Sequence, residues 1–469
     1  MSEANQFTPR NRQAIYLMLI GAFTGAINQT ILSPALPSIM RDLHIDAVAG
    51  QWLTTTFLLI TGIMIPCTAY LMARFSKRQL YLSSMVVFGA GTLFCGLSHS
   101  FLTLLLSRIL QALGFGLLMP LLMATILMVY PPERHGKAMA MIGMVFTIAP
   151  AIGPSIAGFL VDSYRWNVVF LALTPLIFLD LLLSFLIMPK DQAGSRIPLD
   201  KTSVVMSTVG FGGLLYSFSS VGNQGWLSPH FIISFIIGMV TVYFFVKRQK
   251  RLETPLLSFS AMQNKRFAMG NLIAMVLNAT LIFGAILTPI YLQEIHGYSA
   301  FVAALIMLPS AIISAIMNLV VGDIYDKHGG RLPIMLGLLI MSIGSGCYAF
   351  FQEDSSLTFL VIAYSIRIMG IGMAVMPITT WAMGEMRGDD IPHANALINT
   401  MRQIAGSIGT AIFVSIYSIV RGLLGDSVLN GSLMGIRVSF GLSAVVSMIA
   451  LYIAYRHVHD APVLEKKSA

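Results

Sequence analysis

Fourteen apolar stretches follow one another along the chain, separated by short polar segments. Each is close to the roughly 20 residues that a helix needs to cross a bilayer. The pattern predicts spans at about 14–38, 50–70, 79–98, 101–126, 136–160, 168–188, 202–222, 228–246, 268–292, 300–321, 333–351, 357–381, 394–420 and 434–455. The weakest boundary lies between spans 3 and 4, where only Ser98, His99 and Ser100 intervene. An all-α polytopic membrane protein is therefore expected, with its function inside a helical bundle.

Composition agrees: 56% of the 469 residues are hydrophobic, 10% are charged and the mean hydropathy is +0.79, outside the range of soluble domains. Charge adds an orientation. Of the 29 Lys and Arg residues, 22 fall in alternate loops and tails on one side, while Arg41, Arg165, Arg421 and Arg437 make up the other side. The remaining three, Arg108, Arg367 and Arg402, lie within spans. The positive-inside rule then puts both termini in the cytoplasm, in a plasma membrane of bacterial type, since no organellar presequence is visible. The net charge of +9 is a topology signal, with attraction to anionic lipids as its side effect, and does not point to nucleic acid.

Several function classes drop out. The first span continues past a signal-peptide core without a small-residue cleavage site, so it is expected to stay attached. Cys67, Cys95 and Cys347 all sit in predicted spans, with no disulfide framework and no metal-ligand spacing. The nine histidines lie in loops, tails or span ends, which argues against a buried histidine proton relay. No Gly-rich phosphate loop with its Lys and Ser/Thr is present, and no soluble segment exceeds about 25 residues. An enzyme and an ATP-driven pump are both excluded on these grounds, and no cofactor is expected.

The chain also repeats itself. Span 4 reads RILQALGFGLLMP from Arg108, and span 12 reads RIMGIGMAVMP from Arg367; each is followed by a Gly-rich span. Transporters commonly carry such weak internal repeats, whose two bundles rock around a site near the midplane. The loop after span 10, GDIYDKHGGRLP, corresponds to AYLMARFSKRQL after span 2.

At these residues the chain resembles the major facilitator superfamily. Its loop signature is matched by Gly322, Asp326, Lys327, Gly329 and Arg331 in the second copy, whereas the first copy has Ala73 in place of the acid and Ser76 in place of the second glycine. Arg108 and Gln111 occupy the marked positions of the helix-4 motif, and APAIGPSIAG, with Pro150, Gly153, Pro154 and Gly158, resembles the helix-5 antiporter motif. AINQTILSPALPSI and QWLTTTFLLITGIMIPCTAYLMARF narrow the resemblance to the fourteen-helix drug:proton antiporter branch, of the EmrB-like and lincomycin-efflux-like type. The resemblance implies two six-helix bundles, residues 1–190 and 251–469, with an inserted two-helix hairpin at 191–250. It also implies export of small amphiphilic compounds, cationic or neutral, in exchange for protons by a protein working as a monomer.

Chemistry inside the spans is sparse. Asp180 is the one acid clearly at mid-span; Glu385 sits at the end of span 12. An intramembrane acid in low dielectric can take up and release a proton near neutral pH. The alternative for Asp180 is a structural acid paired with a basic or polar neighbour. Antiporters of this branch often carry an acid where this chain has Asn28, and an amide cannot carry a proton. Arg108 keeps its charge and can only bias an acid or bind an anion, so the proton-coupling candidates are Arg108, Asp180 and Glu385. Asn28, Gln29, Trp52, Thr56, Phe57, Gln111, Asn278, Asn399 and Gln403 are the polar or aromatic candidates for a substrate cavity, within a chain of thirty adaptable methionines. Asp326 is expected to close the cytoplasmic side by accepting hydrogen bonds from a helix N-terminus or from Arg331. Glycines and prolines in span 5 serve close packing and bending. Two alternatives stay open: a dedicated exporter of one endogenous lipid, peptide or metabolite, and a non-transporting membrane sensor.

Overall fold

The computed structural model describes residues 9–45, 47–190, 200–298, 300–388, 390–423 and 428–459. They fold into fourteen long helices: α1 (Pro9–Asp42), α2 (Ala47–Arg74), α3 (Lys77–Gly96), α4 (Phe101–Val129), α5 (His135–Ser163), α6 (Asn167–Ile187), α7 (Lys201–Gln224), α8 (Pro229–Gln249), α9 (Lys265–Glu294), α10 (Ala300–His328), α11 (Arg331–Cys347), α12 (Leu357–Met383), α13 (Asp390–Leu423) and α14 (Val428–His457). Each contains a segment long and apolar enough to cross a membrane. The class follows from lipid itself, which offers no hydrogen bonds, so each spanning segment must satisfy its backbone internally.

Most helices run several residues past the apolar stretches. α1 continues to Asp42, and α13 begins at Asp390, because the backbone ladder persists into the polar interface. The turn between α3 and α4 is made by a cap: the Ser100 hydroxyl accepts the Thr103 N–H, and the Thr103 hydroxyl accepts the Ser100 N–H. Ser76 and Gln79 do the same for α3.

Packing repeats with a shift of eight helices. α3 lies on α4, α1 on α5, α2 on α4 and α3 on α6; correspondingly α11 lies on α12, α9 on α13, α10 on α12 and α11 on α14. Between these sets, α5 meets α10 and α12, while α2 and α4 meet α13. α7 packs on α8 and, inward, on α2 and α13. α8 leaves Ile233, Ile236, Val240, Tyr243 and Phe244 exposed, a face suited to lipid.

Side-chain contacts fix which helix ends share a side. Trp166, before α6, donates to Asp42 at the end of α1 (3.1 Å), and Arg421 at the end of α13 meets Glu294 at the end of α9 (3.2 Å). On the side that carries the start of α1 and the end of α14, Asp200 caps α7 and receives two bonds from Arg248 of α8, at 2.8 and 3.0 Å. The Arg248 guanidinium holds the Asp200 carboxyl down at about 2, so this clasp stays charged across the physiological range. Gln249 extends it, donating to Ser203 (2.6 Å) and accepting the Leu256 N–H (2.7 Å) on the way to α9. The first expected bundle boundary, after 190, borders residues 191–199, and Arg196, Lys466 and Lys467 also lie outside the described residues.

α11 and α12 approach closely at Gly344, where an added Cβ would lie 2.6 Å from the Arg367 Cα, a backbone atom that cannot yield cheaply. Gly346 of the same helix has nothing within 4 Å of its added Cβ. Gly344→Ala should therefore cost about 1–3 kcal/mol and lower the melting temperature of the purified protein. Gly346→Ala should leave it unchanged or raise it slightly; equal effects would refute the packing argument.

Candidate functional site

The polar centre of the first six helices is Arg108. It is fully buried in α4, where one guanidinium nitrogen, Nη1, donates to Asn28 Oδ1 of α1 (3.0 Å) and to Gln111 Oε1 one turn along (2.6 Å). Nε points to the Leu53 carbonyl of α2 (3.4 Å), and the guanidinium lies 4.2 Å from the centre of the Phe57 ring. Gln111 passes the network on, donating to Thr92 of α3 (2.9 Å). Four helices thus meet on one charge, and the negative face of an aromatic ring contributes to its stability.

Arg367 is the counterpart in α12, also fully buried. It donates to the Thr280 carbonyl of α9 and lies 5.4 and 5.3 Å from the Phe283 and Phe440 ring centres. Asn278, one of the expected cavity residues, instead donates to the Arg402 carbonyl (2.7 Å), tying α9 to α13.

Amides also join the two sets of helices. Asn395 of α13 donates to the Pro120 carbonyl of α4 (2.8 Å); Asn399 donates to Asn395 Oδ1 (3.0 Å) and approaches Met123. Gln403 passes beside Gly62 of α2. Across the other seam, Asn318 of α10 donates to Thr147 of α5 (3.3 Å). Trp52 is partly exposed and stacks on Tyr216 of α7 at 5.8 Å, while Thr56 is buried and Gln29 half-buried. Gly153 brings α5 against Thr30 of α1, where a Cβ would come 3.2 Å from the Ile27 carbonyl oxygen; Pro150 and Pro154 lie within the same helix, and Gly158 is half-buried.

The side with the start of α1 and the end of α14 is held closed at the seam of α5 and α10. Asp326 accepts the N–H of Gly136 (2.7 Å) and of Lys137 (2.9 Å) in the first turn of α5, and Lys137 Nζ reaches Asp323 at 3.3 Å. A carboxylate placed on a helix N-terminus satisfies orphan donors and meets the positive end of the helix dipole. Gly322 makes the approach fit, since its Cβ would stand 2.9 Å from the Gly136 carbonyl oxygen. Of the two expected partners of Asp326, the helix terminus is the one engaged; Arg331 lies over the Tyr455 ring at 5.7 Å. Gly329, with φ of 87°, makes the turn after Lys327. On the opposite side an open cleft of about 670 Å³ is lined by Leu36, Pro37, Met40, Arg41 and Ile45.

The two acids take different surroundings. Asp180 is 2% exposed, and its Oδ2 accepts from the Tyr81 hydroxyl of α3 at 2.6 Å; that hydroxyl is also 2.9 Å from the Leu17 carbonyl oxygen of α1. Oδ1 has no partner among the described residues. Glu385 lies just past α12, half exposed, 3.5 Å from Arg266 and accepting from Asn264 at 2.6 Å. Neither acid contacts Arg108. Sequence reasoning placed Asn28, Phe57, Arg108 and Gln111 in this constellation but passed over Thr92, Tyr81, Asn318 and Asn395. Tyr81 and Thr92 carry no motif, whereas Asn395 stands one helical turn before Asn399, on the same face.

The sequence pattern of the Major Facilitator Superfamily matches residues 18–410. The chain is 37% identical to the uncharacterized MFS-type transporter YcnB of Bacillus subtilis, over 97% of each chain. It is 33% identical to the lincomycin resistance protein LmrB of Bacillus subtilis, over 93% of this chain and 94% of that one. The human organic anion transporter MFSD10 (TETRAN) superposes with a TM-score of 0.71 over 95% of this chain and 100% of that one; at 14% identity the likeness is one of fold alone.

The Asp326 latch can be opened by substitution. Bonds from N–H groups to a charged acceptor contribute about 1.5–3 kcal/mol each, so Asp326→Ala should shift the closed population by roughly tenfold or more. Spin labels at positions 133 and 328, with native cysteines replaced, should report longer and broader distances in Asp326→Ala than in the parent. Identical distributions would show that the latch does not hold this side shut.

Proposed function

The chain belongs to the Major Facilitator Superfamily, a family of transporters, and on that premise we propose that it exports amphiphilic small molecules across the plasma membrane in exchange for protons. The observation that carries this reading is the seam itself: two similarly packed helix sets meet along α5–α10 and α2–α13, and Asp326 latches α10 to the start of α5 on one side. Alternating access follows if α1–α6 and α9–α14 rock as two bodies, with α7 and α8 as an inserted hairpin. Relatives named for lincomycin resistance support small-molecule export.

The proton is assigned to Asp180. It is the carboxyl group held inside the helices with one oxygen unpartnered. Glu385, half exposed and facing Arg266, has the surroundings of a surface ion pair. The latched side is assigned to the cytoplasm by the excess of Lys and Arg there.

Two experiments test these assignments. In proteoliposomes with an imposed pH gradient, substrate movement should collapse with the gradient. Asp180→Asn should cut gradient-driven flux at least about tenfold, an effect of about 1.4 kcal/mol or more, while gradient-independent exchange persists and Glu385→Gln stays near the parent rate. Full-rate pumping by Asp180→Asn would move coupling elsewhere. Reporter fusions after Lys467 and between 225 and 228 should read cytoplasmic and external, respectively; the same side for both would remove the fourteen-span topology.

A further inference from the structure

The buried charge of Arg108 has no acidic partner. The ion pairs among the described residues, Lys137–Asp323, Arg248–Asp200, Arg266–Glu385 and Arg421–Glu294, all lie at helix ends, and Asp180 is engaged by Tyr81. A guanidinium inside a membrane is costly enough that an unpaired one marks a function.

The atoms around it say what is missing. Asn28 spends its carbonyl oxygen on Arg108 Nη1, and Gln111 spends its own on the same nitrogen while its amide nitrogen goes to Thr92. Two donors remain, Arg108 Nη2 and Asn28 Nδ2, both buried and both without a partner among the described residues. They flank a single hydrogen bond, so they belong to one locus. That locus offers one positive charge and two N–H donors, while the Leu53, Asn28 and Gln111 oxygens beside it already accept from other nitrogens of Arg108. Arg367 and Arg402 also keep unpartnered nitrogens. Arg367, however, is cradled by two rings, and the amide next to Arg402 is spent on its carbonyl. Among the described residues, only the Arg108 locus has an orphaned amide donor beside the orphaned guanidinium.

We propose that Arg108 and Asn28 form the recognition site for the acidic group of the transported molecule, so that the substrates are amphiphilic anions bearing a carboxylate, sulfonate or phosphate. The inference rests on the export reading above and replaces the cationic or neutral substrates that the resemblance implied. An oxyanion supplies acceptors without donors, satisfies both orphaned N–H groups and neutralises the guanidinium through charge-assisted bonds. Phe57, whose ring the guanidinium faces, stacks on Phe115 at 5.7 Å, so the surroundings of the charge are apolar and suit an amphiphilic molecule. An acid at position 28 would fill the locus permanently; the amide leaves it for a ligand.

The test uses purified protein in proteoliposomes with two probes, anionic 1-anilinonaphthalene-8-sulfonate and cationic ethidium. The parent should move the sulfonate, and Asn28→Asp, which closes Arg108 with a fixed carboxylate, should lose that movement by at least about tenfold. Elution profile and melting temperature of Asn28→Asp establish that it is folded. Independently of any variant, hexanesulfonate should slow sulfonate movement by the parent, and hexyltrimethylammonium should not. Ethidium movement without sulfonate movement overturns the anion site and leaves the export reading intact. Undiminished sulfonate movement by folded Asn28→Asp, or equal competition by the two hexyl-chain ions, overturns it as well. Movement of neither probe overturns the export reading and the anion site together.

Discussion

The hydrocarbon core contains no water with which a polar atom can pair, and the arrangement of this protein follows from that shortage. Hydroxyl groups turn back onto their own helices, as Thr92 does to the Phe88 carbonyl and Ser342 to the Leu338 carbonyl, at 2.8 and 2.7 Å. Charges cannot do this. Arg108 and Arg367 each recruit carbonyls, amides or rings from several helices, and in doing so they fix how α1, α2 and α3 surround α4, and how α9 and α14 surround α12. The same groups that cost most to bury are the ones that organise the bundle.

The repeat is faithful in packing and unfaithful in chemistry. Asp326 near the end of α10 reaches across to α5, but at the equivalent place α2 has Ala73, and two basic residues there bond within their own helix set: Arg74 donates to Tyr70 (2.9 Å) and Arg78 to the Phe185 carbonyl (2.5 Å). Among the described residues the α2–α13 seam carries no ion-pair latch, and near it the bridge is an amide, Asn395 to the Pro120 carbonyl. One seam depends on a carboxylate at a helix terminus and the other on neutral bonds and close packing. Salt and charge substitutions act on the first far more than on the second.

Membrane spans are legible in sequence because lipid demands long apolar runs, and all fourteen form where the pattern put them. Helix ends were less legible. Lipid sets the apolar length only, while caps such as Ser100 and the interface decide where the backbone ladder stops. At the site, Arg108 with Gln111 stood out because a charge at mid-span is rare. Tyr81 was invisible, since an aromatic residue near a span end carries no signal until α3 is packed against α6. The pairing Asp180 makes could be anticipated as a polar neighbour, but its identity depends on three helices far apart in sequence.

The separation of Asp180 from Arg108 bears on how proton and substrate can communicate. An acid at position 28 would let both compete for one residue; with Asn28 in that position the proton site and the anion site proposed above lie apart, and coupling between them would need a mechanical link. α1 touches both. The Leu17 carbonyl accepts from Tyr81, and Gly21 packs beside Asp180, where its Cβ would lie 3.0 Å from Oδ2; Asn28, further along, holds Arg108. Seven residues from Gly21 to Asn28 span roughly 10 Å of helix. If Asp180 takes up a proton, its bond to Tyr81 changes character, and the hydroxyl that also faces Leu17 shifts its allegiance between carboxylate and carbonyl. A small displacement of α1 then reaches the Asn28–Arg108 bond without passing through any intervening charge. Close packing transmits such a shift instead of absorbing it, because a dense interior has little room to deform.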